Sequence, residues 1–135
     1  MRAVLDPNVL IAALVSPRGT PANIVQRWLL GGFELVVSPQ LLAELERAVA
    51  YPKLRTRVDS SEAAELIDLL RRSALLAGDT AAPPRSADAA DDYLIALAET
   101  QRAVLVSGDK HLLDLAELFP IETPSAFLDR LENQD

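Results

Sequence analysis

The stretches Arg2-Ala-Val-Leu-Asp6 and Ala103-Val-Leu-Val-Ser107 decide the fold. Both are short and apolar almost throughout, with no polar residue at alternate positions. Each ends in a turn signal, Pro7-Asn8 after the first and Gly108-Asp109 after the second. A strand that is apolar on both sides needs both sides covered, the condition of a parallel sheet lying between layers of helix. Phe33 to Val37 reads as a third strand of this kind, and Ile121 starts a short last one.

Helical stretches fill the intervals. Val9 to Val15 is apolar and ends before Ser16-Pro17-Arg18-Gly19. Thr20 and Pro21 suit an N-cap and first turn. The helix they open carries Ile24, Val25, Trp28 and Leu29 at core spacing and stops at Gly31-Gly32. Ser38-Pro39 caps a helix burying Leu41, Leu42, Leu45 and Val49, which ends near Tyr51-Pro52. Ser60 to Leu76 is amphipathic, with Ser60 or Ser61 as cap and Leu66, Ile67, Leu69 and Leu70 inward. A loop rich in Ala, Pro and Gly runs from Ala77 to Ala87. Asp91 to Gln101 is helical, a short helix carries Leu112, Leu113 and Leu115, and Pro124 to Leu131 forms the last. Strands alternating with helices predict an α/β fold in one domain over residues 1–135.

In such sheets ligands bind beyond the carboxyl ends of the strands. Asp6 ends the first strand, and Ser107 and Asp109 end another, so chemistry is expected there. Composition narrows what chemistry that is. With no Cys, thiol catalysis and Cys-based zinc sites are excluded, and the single His111 excludes a multi-histidine metal site. No apolar stretch is long enough to span a bilayer and the N-terminus runs straight into a strand, so a cytoplasmic location is expected. The net charge of −7 opposes broad nucleic-acid binding. Bound cations would reverse the local field, and Arg47, Lys53, Arg55 and Arg57 form a run from 47 to 57 free of acids. That run is either a solvated helix end or an RNA contact.

The candidate site residues are acidic. Taken singly, each has an ordinary role: Asp6 as a strand-to-helix cap, Glu44 as a solvated helix acid, Asp91 and Asp92 as first-turn acids favoured by the helix dipole, Asp109 as a turn residue. Helical phase places Asp91 in line with Leu94, Ile95 and Ala98 on the buried face, and Asp92 further round. As a set they mean more. Carboxylates gathered at one sheet edge repel one another and resist ionisation unless a cation neutralises them. Mg²⁺ and Mn²⁺ take such oxygen ligands and activate water against a phosphate, with no histidine or cysteine nucleophile required.

Four segments then carry a resemblance: Val4-Leu-Asp-Pro-Asn-Val-Leu-Ile-Ala-Ala13, Val37-Ser-Pro-Gln-Leu-Leu-Ala-Glu-Leu45, Asp91-Asp-Tyr-Leu-Ile-Ala-Leu-Ala98 and Val104-Leu-Val-Ser-Gly-Asp-Lys-His-Leu-Leu113. In this order they resemble the PIN-domain family, most closely its VapC-like toxins of toxin–antitoxin pairs. The resemblance implies a three-layer α/β/α sandwich around a parallel sheet of four to five strands. It implies Mg²⁺- or Mn²⁺-dependent cleavage of single-stranded RNA, a homodimer, and silencing by a cognate antitoxin protein. Asp6 matches the family's first acid, Glu44 the second and Asp109 the fourth. The third falls on Asp91 or Asp92, and the burial argument favours Asp91. Catalysis is thus expected of Asp6, Glu44, Asp91 and Asp109, and metal ligation of Asp6, Asp109 and Asp91 or Asp92. Asn8 and Ser107 match supporting positions. Pro7 departs from the pattern, since many relatives have Thr or Ser there.

Other readings fit less well. A haloacid-dehalogenase-type phosphohydrolase wants a second Asp where this chain has Asn8. A receiver domain wants an Asp at the end of a middle strand, where this chain has Ser38-Pro39. A catalytically idle PIN-like binding module is the remaining alternative.

Overall fold

A computed structural model describes residues 1–79, 81–86 and 88–134. Five strands form one sheet: β1 (Arg2–Leu5), β2 (Glu34–Val37), β3 (Leu75–Leu76), β4 (Val104–Val106) and β5 (Ile121–Glu122), in the order β3-β2-β1-β4-β5. Every neighbouring pair is parallel. In the central pair Ala3, Val4 and Leu5 lie opposite Val104, Leu105 and Val106. Ala3, Val4, Leu5 and Val106 have no exposed surface, as a strand covered on both faces requires.

The helices are α1 (Pro7–Val15), α2 (Thr20–Leu29), α3 (Pro39–Val49), α4 (Pro52–Arg55), α5 (Ser60–Ser73), α6 (Asp92–Thr100), α7 (Lys110–Leu113) and α8 (Pro124–Glu132). They cover both faces of the sheet, a three-layer α/β/α arrangement. α6 packs on β1 and β4, while α1 meets α2 and α3, and α2 meets α8. Phe33 and Phe127 join the start of β2 to α8, edge to face with centroids 5.1 Å apart. Phe127 and Leu5 are fully buried, and each such side chain contributes roughly 1.5–3 kcal/mol. Among the described residues no helix is long and apolar enough to cross a membrane.

Several expected boundaries move. Pro7 opens α1 as well as ending the strand, because its fixed φ suits the first helical position. Gly19, not Thr20, is the cap of α2. Asp59 caps α5 instead of Ser60 or Ser61, its Oδ1 accepting from the Ser61 N–H at 2.8 Å and the Glu62 N–H at 3.2 Å. The helix expected to reach Leu76 stops at Ser73, and Leu75 and Leu76 become the edge strand β3 beside Val36 and Val37. Of the loop expected over 77–87, residues 80 and 87 lie outside the described residues.

Parallel strands bring their carboxyl ends to one edge, and three of them pass directly into a capped helix. Asp6 follows β1 and caps α1, Ser38 follows β2 and caps α3, and Thr123 follows β5 and caps α8. Asp109 caps α7 three residues after β4. The edge therefore gathers polar residues and helix N-termini together, where anionic groups are favoured.

Candidate active site

Asp6 is 4% exposed, and both its carboxylate oxygens are engaged. Oδ1 accepts from the Asn8 N–H at 3.0 Å, and Oδ2 accepts from the Ser107 hydroxyl at 2.8 Å. The cap and the site are one residue, since one oxygen closes the helix and the other faces across to β4. Ser107 has no exposed surface, and its Oγ also accepts from the Asp109 N–H at 3.0 Å. One hydroxyl thus fixes the spacing between two acids that are far apart in sequence. Burial raises the Asp6 pKa above the ordinary carboxyl value; the Asn8 and Ser107 donors work against this, and the Asp109 charge adds to it.

Asp109 uses Oδ1 to accept from the His111 N–H at 2.9 Å. Asp91 is pushed up to about 7, first by burial, then by its interaction with the Asp109 carboxyl and by the charges of Asp6, Asp88 and Asp109. Like charges gathered in this way oppose ionisation unless something neutralises them. Asp6, Asp91 and Asp109 therefore act on one another, from three separate segments of the chain.

Glu44 joins through a residue that the sequence reading passed over. The Tyr93 hydroxyl donates to Glu44 Oε2, and Tyr93 is 7% exposed. Burial, the Glu44 bond and the charges of Glu44, Asp6 and Asp91 all push the phenol pKa up, so Tyr93 remains a donor. A signal existed: Tyr93 is the one hydroxyl-bearing residue within the apolar run Tyr93 to Ala98, and a buried Tyr needs an acceptor.

Asp92 corrects the sequence reading. Helical phase put Asp91 on the buried face, yet Asp92 is 3% exposed and Asp91 is half-buried. The reason is local. Residues Ala89–Asp91 form a 3₁₀ turn, so the α-helical phase begins only at Asp92. Asp92 Oδ1 accepts from the Arg85 N–H at 3.2 Å, the Ser86 N–H at 2.8 Å and the Ser86 hydroxyl at 2.8 Å. Burial acts to raise its pKa, but the Ser86 donors, the Arg85 N–H and the Arg85 charge outweigh it and hold Asp92 below the ordinary range. One oxygen of its carboxylate is thus held by the 85–86 segment, and among the described residues no hydrogen bond joins it to the other acids.

Among the described residues no three acidic or histidine side chains are placed to hold a metal ion as they stand. Asp6 is instead satisfied by the Asn8 N–H and Ser107, Glu44 by Tyr93 and Asp109 by the His111 N–H. The donor set nevertheless fits a hard divalent cation: it is all oxygen and anionic, and no Lys or Arg among the described residues pairs with Asp6, Asp91 or Asp109.

The remaining candidates fall in two places. Asn8 is exposed and, with Ala12, Pro21, Gly108, Asp109 and Pro124, lines a groove of about 350 Å³. Arg47, Lys53, Arg55 and Arg57 are all exposed, on the last turn of α3, on α4 and just beyond it. None of the four pairs with an acid among the described residues. Arg47 lies three residues beyond Glu44 on α3 and so on a neighbouring part of the same helix surface.

The model of the family described as PIN domain matches residues 2–111. Among curated proteins, the uncharacterized protein MJ1680 of Methanocaldococcus jannaschii is 23% identical over 143 residues, covering 98% of this chain and 92% of its own. Among solved structures, PAE2754 from Pyrobaculum aerophilum superposes with a TM-score of 0.69 at 22% identity, over 98% of this chain and 90% of that one. VapBC-1 from nontypeable Haemophilus influenzae gives 0.62 at 17% identity, over 93% and 99%. VapBC2 from Rickettsia felis, bound to a DNA fragment from its promoter, gives 0.61 at 14% identity, over 91% and 98%. At these identities the structures establish a shared fold.

Proposed function

The chain belongs to the PIN domain family, and from that premise we propose that it is a Mg²⁺- or Mn²⁺-dependent endoribonuclease that cuts single-stranded RNA. PIN domains are generally nucleases that work with divalent metal ions. The observation that carries the finer reading is the linkage at the carboxyl edge of β1 and β4, where the Ser107 hydroxyl donates to Asp6 and accepts from the Asp109 N–H, together with the rise in the Asp91 pKa to which Asp6 and Asp109 contribute.

In this reading Asp6, Asp91 and Asp109 hold the ion. When bound, it supplies Lewis-acid stabilisation of charge on the phosphate and an activated water. Ser107 fixes Asp6 and the Asp109 backbone, so two of the three carboxylates keep their spacing without the ion. Tyr93 orients Glu44, which directs the attacking water or takes its proton. Asn8 supports Asp6 through its backbone N–H. Arg47, Lys53, Arg55 and Arg57 offer an exposed run free of acids on a chain of net charge −7, suited to the phosphates of the same strand. Single strands suit the site better than duplex, because their backbone can bend into a sheet-edge cleft.

The two VapBC structures that share this fold support a role as the toxin of a toxin–antitoxin pair, held silent by an antitoxin; the homodimer is proposed on the family resemblance alone. The test is cleavage of end-labelled single-stranded RNA, duplex RNA and single-stranded DNA with Mn²⁺, Mg²⁺ or EDTA. Cutting of the single-stranded RNA alone, abolished by EDTA, is expected. Undiminished cleavage in EDTA would refute the metal-dependent reading. Induction in a bacterial host should arrest growth with the wild type and not with Asp6→Asn.

A further inference from the structure

The groove beside Asp109 has walls from three helices: Ala12 of α1, Pro21 of α2 and Pro124 of α8. Its polar end is made by Asn8 and Asp109. Gly108 leaves it open, since a Cβ there would meet nothing within 4 Å. Resting on the nuclease reading, we propose that this groove seats one base of the RNA strand next to the cut, and thereby gives the enzyme a base preference.

Size, lining and continuity all favour that occupant. At about 350 Å³ the groove lies at the small end of the ~300–1,000 Å³ range of small-ligand sites, room for one nucleoside. Two proline rings and an alanine methyl give apolar contact to a base whatever its identity. The Asn8 side chain supplies what is sequence-dependent. Its backbone N–H serves Asp6, while its exposed amide is both donor and acceptor and can address a base edge. Asp109 lines the groove and belongs to the acid cluster, so a base in the groove sets its adjoining phosphate against the acids.

The test is cleavage of an RNA pool with a randomised stretch, with Mn²⁺, and sequencing of the product ends. Wild type is compared with Ala12→Phe, which fills the groove from α1, and with Gly108→Val, which fills it from the loop side. The wild type should show a base bias at one position next to the cut. In each variant that bias should fall about tenfold, with KM raised more than kcat is lowered and the Mn²⁺-induced rise in Tm kept. If Ala12→Phe fails to fold, Gly108→Val alone decides. A wild type that cuts without bias, or a bias unchanged in the folded variants, overturns the groove assignment while leaving the nuclease reading intact; an unchanged bias would leave the groove to some other occupant. A wild type that cuts no RNA overturns both.

Discussion

Replacing Asp91 by Asn should stabilise the metal-free protein at alkaline pH, and by an amount that depends on pH in a specified way. Asp91 moves from 3.8 in the unfolded chain to about 7 in the folded one, so the folded state binds its proton more tightly. Stability from that proton is fully present below about pH 4 and is lost as pH rises through 7. A shift of about three units corresponds to roughly 4 kcal/mol at 1.36 kcal/mol each. Asp91 is only half-buried, and solvent screening reduces this to about 1–2 kcal/mol. Asn cannot ionise, so Asp91→Asn should melt about 4–8 °C above wild type at pH 8 and near it at pH 4. Asp6, whose carboxyl is also raised, is present in both proteins, so the difference between the two melting curves reports Asp91 together with its repulsion of Asp6 and Asp109. Millimolar Mn²⁺ should reverse the order at pH 8, because wild type gains RT ln(1 + [L]/Kd) and the variant much less. Thermal melts from pH 4 to 8 in EDTA and in Mn²⁺ make the measurement. Equal pH slopes for the two proteins, or a variant less stable than wild type at pH 8 in EDTA, would refute the reasoning.

Ser107→Ala removes the donor to a buried Asp6 oxygen and the acceptor of the Asp109 N–H. It should cost about 2–3 kcal/mol in denaturant melts and weaken Mn²⁺ binding by roughly 10–100-fold in calorimetry. Tyr93→Phe leaves the ring packed but frees Glu44; kcat should fall roughly tenfold with KM little changed, and an unaltered kcat would remove Tyr93 from the account. Asp92→Ala takes the acceptor away from three donors at Arg85 and Ser86 and should cost about 2–3 kcal/mol. Its Mn²⁺-dependent cleavage should persist below its Tm, and loss of cleavage in folded protein would return Asp92 to the cluster.

Much of this architecture is legible in the chain because its strands are read from one rule. Continuous apolar runs at 2–6, 33–37 and 103–107 require a sheet covered on both faces, and parallel strands then put Asp6 and Asp109 at the same edge. The edge strand escaped because no Gly or Pro separates Leu75 and Leu76 from the helix before them, and two residues give no period of their own. The distinction between Asp91 and Asp92 escaped for a geometric reason. Phase reasoning assumes 3.6 residues per turn from the first residue, and the 3₁₀ turn at Ala89–Asp91 breaks that assumption. The more buried carboxylate, Asp92, ties down a loop, and the half-buried Asp91 is the one whose pKa Asp6 and Asp109 raise. Capping does not compete with a site role at Asp6, since one carboxylate oxygen closes α1 and the other accepts from Ser107.

The account stands on separate carboxylates acting together through one divalent ion. Rates of single-stranded RNA cleavage in Mn²⁺ for wild type, Asp6→Asn, Asp109→Asn and the exposed control Asp68→Asn test this most directly. Loss of cleavage by at least about 100-fold in the first two variants, with both still folded and Asp68→Asn as active as wild type, is the predicted result. Wild-type rates in Asp6→Asn or Asp109→Asn would contradict it.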